Sequence, residues 1–175
     1  MLEIKRKQYV KDVTEQLDGT FVYTGDIYRM VGTKEERRRN DWRLLLGGIA
    51  LAALVILSGC IDAAGANNTW YVILPLTGEV CCLFVLWWNL GKLIGERGEV
   101  REFVYTPATG RIPPAAKIMA FFAAAGLVCS GIYLIKHGFE DKVAKSLAYL
   151  AIKLATAGTA FWYGRTFDCI NWEIK

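Results

Sequence analysis

The sequence predicts an all-α integral membrane protein with four transmembrane helices, both termini in the cytoplasm and a small cytoplasmic β segment. Three observations support this fold class. More than half of the residues, 54%, are apolar. These apolar residues are concentrated in four long runs, and most Lys and Arg residues lie in the segments that would share one side of a membrane.

The four apolar runs are each long enough to cross a bilayer as a helix. Residues 44–61 and 118–135 contain no charge, and residues 71–91 and 146–164 contain one charge each. A hydrocarbon core of ~30 Å needs about 20 predominantly apolar helical residues. Buried helices of a soluble protein would usually keep a polar stripe, which the two uncharged runs lack. We therefore predict a transmembrane domain over 42–164, with helices at about 44–61, 71–94, 117–136 and 146–164.

The basic residues predict the orientation. Of the 21 Lys and Arg residues, 17 lie within 1–43, 91–117 and 165–175, whereas the loop 62–70 has none. Cytoplasmic segments of membrane proteins carry the basic excess. The N-terminal segment, the loop 95–116 and the tail 165–175 are thus predicted to be cytoplasmic, in a multi-pass protein of the plasma (inner) membrane. The net charge of +4 then reflects this topology, and no nucleic-acid partner is predicted.

The segment 34–43 contains five of the ten Lys and Arg residues in 1–43. It is either a flank that stops the chain at the membrane surface or a site for anionic lipid headgroups. The acidic residues Glu35, Glu36 and Asp41 dilute its charge, which favours the simple flank.

The β segment is predicted from alternating apolar and polar residues in 1–40, with an Asp18-Gly19 turn of the kind that closes hairpins. The tetrapeptide Phe-Val-Tyr-Thr occurs at 21–24 and again at 103–106, either by internal duplication or by chance. We expect both copies to be extended and to pack Tyr23 and Tyr105 on one small sheet. Prolines 107, 113 and 114 predict that the loop 95–116 continues neither as a helix nor as a strand.

Two charges are out of place within the apolar runs. Glu79 and Lys153 each lie roughly 12–14 Å from the outer end of their predicted helices, at ~1.5 Å per residue. Charges at such depth are costly and usually face a partner or a cavity. Helical spacing places Tyr149 and Thr156 on the same face as Lys153, and Asn89 on the same face as Glu79. We predict a polar seam in which Glu79 and Lys153 face each other, as a structural clasp or as a proton or ion site; separate partners are the remaining possibility.

The other reactive residues form no recognisable catalytic or cofactor motif. The five cysteines include no Cys-x-x-Cys pair, and His137 is the single histidine of the chain. We predict no metal, no cofactor and no catalytic residues, and the chain is more consistent with a non-enzyme. The leading hypothesis is a non-catalytic accessory or regulatory subunit of a larger membrane complex, which contacts the bilayer and another membrane protein or a second copy. The alternatives are an oligomeric small transporter or channel that uses Glu79 and Lys153, and a membrane redox enzyme that uses Cys60 and Cys129.

Overall fold

The computed structural model describes residues 13–15, 21–23, 25–66, 68–96, 99–139 and 142–175. Within these ranges the chain forms four long helices and five short strands. In chain order they are β1 (Val13–Glu15), β2 (Phe21–Tyr23), β3 (Ile27–Met30), α1 (Lys34–Cys60), α2 (Trp70–Gly95), β4 (Val100–Arg101), α3 (Glu102–His137), α4 (Val143–Asp168) and β5 (Trp172–Ile174). The mostly helical architecture with a small β segment is confirmed.

Among the described residues, three helices, α1, α2 and α3, are long and apolar enough to cross a membrane. The helix α4 is not among them, so the prediction of four spans is supported for three. Its length is sufficient, but Lys153 and the neighbouring hydroxyl side chains make its sequence more polar. These include Tyr149 and Thr156, which the structure buries inside the bundle.

The first helix begins ten residues before the predicted start because a capping box stabilises its N-terminus. The Glu36 backbone N–H donates to Thr33 Oγ1 at 3.2 Å, and the Thr33 N–H donates to Glu36 Oε2 at 2.9 Å. This reciprocal pair satisfies two N–H groups that a helix terminus leaves without partners. The basic stretch 34–43 therefore forms the first turns of α1.

The largest correction concerns the predicted loop 95–116. Its residues from Glu102 onward are the beginning of α3, so the second Phe-Val-Tyr-Thr copy is helical, whereas Phe21–Tyr23 of the first copy form a strand. Three prolines lie within this helix. They are tolerated because one face of the segment is buried at helical spacing, by Val104, Ala108, Ile112, Ala116 and Met119.

The strands form two separate sheets rather than one. β1 pairs antiparallel with β2, and the other sheet has the order β4-β3-β5. In this second sheet Tyr28 lies opposite both Val100 and Ile174. The predicted turn at Asp18-Gly19 lies outside the described residues. The predicted tail 165–175 contains the strand β5, which the sequence analysis missed.

The three-stranded sheet is attached to the end of the bundle by aromatic stacking. The Tyr105 ring, which projects from α3, stacks on Tyr28 of β3 at 3.9 Å between centroids and meets Trp172 of β5 edge-on at 5.3 Å. Tyr23 instead contacts Phe103 at 6.1 Å. Tyr105 therefore packs on the sheet as predicted, although it does so from a helix, and Tyr23 does not share that contact.

An ion pair also anchors the C-terminal strand. Lys175 Nζ lies 2.6 Å from Glu99 Oε1, just before β4. The hydrogen bond from Lys175 lowers the pKa of the Glu99 carboxyl below its ordinary value. Both side chains are about half exposed, so this pair contributes little to overall stability.

The bundle is apolar outside as well as inside. Its core contains Leu44, Leu51, Leu86, Met119 and Tyr163, all 1% exposed or less. The outward faces carry large apolar side chains that are more than two-thirds exposed, among them Trp70, Phe84, Trp88, Phe121 and Ile135. Exposed apolar surface on this scale marks a membrane or protein contact.

Candidate functional site

The structure brings Glu79 and Lys153 together in the middle of the bundle. Lys153 Nζ donates to Glu79 Oε1 at 2.7 Å, and neither side chain has any exposed surface. The pair joins α2 to α4 across 74 residues of sequence. Removing two charges from water costs a large desolvation free energy unless the two charges compensate each other. This contact therefore ties the register of α2 to that of α4.

Small residues and a proline shape the α2 side of the pair. Gly78 lies beside Glu79, and a Cβ added there would come within 2.7 Å of the Phe122 ring on α3. Pro75 lies one turn earlier and cannot donate to the carbonyl of Tyr71, which leaves that acceptor without its helical partner. Because Gly78 has no side chain, α2 and α3 approach closely at the level of the carboxylate.

The α4 side is shaped by Gly126 of α3. A Cβ at Gly126 would lie 3.5 Å from Lys153 Cε and 3.4 Å from Pro75 Cβ. The apolar stem of the lysine thus passes over a position where the neighbouring helix has no side chain. Lys153 Nζ also lies 5.3 Å from the centroid of the Tyr149 ring, within the range of a cation–π contact. Lys153 is therefore held by the carboxylate at its tip and by Tyr149 beside it.

Thr156 and Asn89 are buried but do not contact the ion pair through a hydrogen bond. Thr156 Oγ1 donates to the Ile152 carbonyl at 2.8 Å, and Asn89 Nδ2 donates to the Val85 carbonyl at 2.7 Å. Both bonds run within their own helix. Asn89 also lies ten residues from Glu79, which is ~15 Å along α2. The predicted seam thus consists of a compact centre of Glu79, Lys153 and Tyr149, with Thr156 one turn away and Asn89 far from it.

One buried polar atom of the charge pair, Glu79 Oε2, has no hydrogen-bond partner among the described residues. A buried carboxylate oxygen with no donor is costly. Ser130 of α3 lies next to Tyr149 in the same region, and the sequence analysis does not include it in the polar seam because nothing in the sequence connects it to the charges. The unpartnered oxygen of Glu79 can accept one more hydrogen bond or a proton.

The remaining candidate residues are dispersed. Cys60, Cys81, Cys82, Cys129 and Cys169 are all free thiols. Within the described ranges, no group of three or more His, Cys, Asp or Glu side chains is placed to hold a metal ion.

The pair can act in two ways. As an ion pair it fixes two helices against each other, and as a titratable carboxylate next to an amine it can take up or pass on a proton. The geometry of the centre rests on side chains from α2, α3 and α4, so any movement of one helix would alter it. No family model, curated protein or solved structure matches this chain.

Proposed function

We propose that this chain is a four-span integral membrane protein of the plasma (inner) membrane whose two termini both face the cytoplasm. The β4-β3-β5 sheet supports an even number of crossings. β3 precedes α1, β4 lies between α2 and α3, and β5 follows α4, yet all three are hydrogen-bonded in one sheet. Segments on opposite sides of a bilayer could not pair in this way. Since α1 to α3 are apolar enough to cross, this shared sheet supports a crossing by α4 as well.

The burial pattern of α4 is consistent with a crossing despite its lower apolarity. Its polar side chains Ser146, Tyr149, Lys153 and Thr156 are buried against other helices. Its outward face carries Leu147, Leu154 and Phe161, each more than half exposed. A helix that directs its polar groups into the bundle presents only apolar groups to lipid. The excess of Lys and Arg at the sheet end favours the cytoplasm for that end.

Within the membrane, we propose that the protein serves as a non-catalytic accessory or regulatory subunit of a larger membrane complex. The observation that carries this proposal is the combination of a sealed polar centre with an apolar outer surface. Glu79 and Lys153 have no exposed surface. A subunit needs a rigid bundle and an outer surface for its partner, whereas a transporter needs access to its polar centre.

The second candidate is an oligomeric small transporter or channel, which the unpartnered Glu79 Oε2 favours. An acceptor at this depth is the kind of group that binds a proton or a cation in transporters. This function would require the helices to separate and expose the pair, either during a transport cycle or at an interface between copies.

Purification in a mild detergent, followed by mass determination of the intact assembly, distinguishes these functions. We expect a stoichiometric complex with a larger membrane protein. An affinity tag should be placed at the N-terminus in one preparation and at the C-terminus in another. Loss of the partner from only one of the two preparations would indicate that the tag interferes with the contact. A homo-oligomer in both preparations would support the transporter or channel, and a monomer in both would contradict both functions.

A further inference from the structure

Close contacts define a common level near the sheet end of the bundle, where all four helices meet. A Cβ at Gly47 of α1 would lie 2.6 Å from the Tyr163 ring of α4, and one at Gly48 would lie 3.1 Å from Leu90 of α2. A Cβ at Gly164 of α4 would lie 3.4 Å from Ala116 of α3. Residues 47–48, 90, 116 and 163–164 therefore lie side by side.

Near this level, on the side of the sheet, each helix carries one exposed basic residue. These four residues are Arg43, Lys92, Arg111 and Arg165, and we call them the basic belt. Each lies within one to five residues of the contact level, so at ~1.5 Å per residue all four lie within roughly one or two helical turns of each other along the bundle axis.

The charges of the basic belt are not neutralised by carboxylates of the described residues. Three carboxylates at this end of the bundle are paired with other cations: Asp168 binds Lys117 at 2.8 Å, Glu96 binds Arg101 at 3.7 Å, and Glu99 binds Lys175 at 2.6 Å. The four belt cations form no ion pair in the part of the chain that the structure describes. Their positive charge is thus available to an anion from outside the protein.

Two belt residues are held against exposed aromatic rings. Lys92 Nζ lies 4.9 Å from the centroid of Trp88, and Arg165 Cζ lies 5.5 Å from the centroid of Phe161. Trp88 is 67% exposed and Phe161 is 54% exposed, each one turn farther into the apolar surface. The amphipathic ring of Trp favours the depth of the lipid headgroups, where an apolar and a wet environment meet, and the apolar ring of Phe161 favours the lipid chains next to it. The two cations are therefore positioned at the boundary between the apolar surface and water.

We propose that the basic belt binds the phosphate groups of anionic phospholipids around the sheet end of the bundle. This inference rests on the proposed insertion in a bilayer, since it assigns the apolar surface to lipid chains and the belt to their headgroups. The bound lipids would be annular: their acyl chains lie along the exposed aromatic and aliphatic side chains, and their phosphates contact one Arg or Lys per helix. Basic groups next to an anionic leaflet attract it strongly enough to select these lipids.

The test uses the full-length protein in nanodiscs of phosphatidylcholine mixed with phosphatidylglycerol. The lipids that remain with the protein after transfer to detergent are counted by native mass spectrometry. We expect phosphatidylglycerol to be retained preferentially. The variant Arg43→Gln/Lys92→Gln/Arg111→Gln/Arg165→Gln should lose this preference, by about fivefold for each belt cation that contacts a headgroup.

The matched control is Lys136→Gln/Lys145→Gln, which removes two exposed cations at the opposite end of the bundle and should leave the preference unchanged. Inorganic phosphate, added to the detergent-solubilised protein, should not raise its melting temperature. Equal retention of both lipids by the unmodified protein, or an unchanged preference in the belt variant, would overturn the proposal. Stabilisation by inorganic phosphate would instead identify a free-anion site. Failure of the protein to enter nanodiscs at all would contradict the proposed function itself, so the two failures are distinguishable.

Discussion

Replacing Lys153 with Met should lower the free energy of unfolding by about 3–5 kcal/mol, because it leaves the Glu79 carboxylate buried without its cation. Glu79→Leu should cost a similar amount, since the ammonium is then stranded in the same apolar surroundings. The double variant Glu79→Leu/Lys153→Met should recover most of this loss, because replacing a whole buried ion pair with apolar groups is often nearly neutral. Thermal unfolding in detergent, measured for both single variants and the double variant, gives the coupling energy.

The chain offers a matched control in a second lysine–carboxylate pair that is exposed. Lys117 Nζ lies 2.8 Å from Asp168 Oδ2, but the two side chains are 53% and 44% exposed. Lys117→Met should therefore cost no more than about 1 kcal/mol. Additive losses in the double variant at Glu79 and Lys153 would mean that the two residues stabilise the protein through different partners. A recovery of stability without recovery of the partner complex would instead assign the pair a functional role.

Substituting Gly78 with Ala should be the most damaging single-methyl change near the charge pair. The added Cβ would lie 2.7 Å from two atoms of the Phe122 ring, including Cγ, which cannot move without a shift of α3. Overpacking of this kind costs about 1–3 kcal/mol. The cost has to exceed the gain of about 1 kcal/mol that Ala brings to a helix interior. We expect a clear fall in melting temperature.

Gly91→Ala is the control for this change, on the same helix and with the same chemistry. A Cβ at Gly91 meets no atom within 4 Å, so the variant should be neutral or slightly stabilised. If Gly78→Ala is as stable as Gly91→Ala, then α2 and α3 are not in close contact beside Glu79. In that case the Glu79 carboxylate would not be enclosed by a close approach of α2 and α3.

The contact between Glu79 and Lys153 could be anticipated from the sequence because both residues are single charges in apolar runs at similar depth. Few other arrangements remove two such charges from lipid. Asn89 was included in the same seam because the helical period places it on the Glu79 face. The helical period predicts on which side of a helix a residue lies but not how far it lies from another residue along the helix axis. The Asn89 amide donates to the Val85 carbonyl within α2.

The start of α3 could not be predicted because two local signals conflicted. Pro107, Pro113 and Pro114 argue against a helix. The buried positions Val104, Ala108 and Ile112 recur every four residues and argue for one. Burial of this face against the rest of the bundle prevails, and the Thr109 hydroxyl donates to the Tyr105 carbonyl at 2.9 Å within the segment.

The strand β5 gave no usable signal for a different reason. It is three residues long, and its partner β3 lies more than 140 positions earlier in the chain. Alternation of apolar and polar residues cannot be recognised over three residues. In addition, a pairing between strands near the two ends of a chain depends on the helices that bring those ends together. The same pairing is the strongest support for an even number of membrane crossings.

The central claim is that α4 crosses the membrane with the other helices, so that both ends of the chain share one side. It is tested by two variants that each contain a single cysteine. In one, all native cysteines are replaced and Asn68→Cys is added between α1 and α2; in the other, the exposed Cys169 after α4 is the one native cysteine that is kept. A membrane-impermeant maleimide applied to intact cells should label the first and should label the second only after permeabilisation. Labelling of both in intact cells would mean that α4 does not cross, and the reverse pattern would invert the topology.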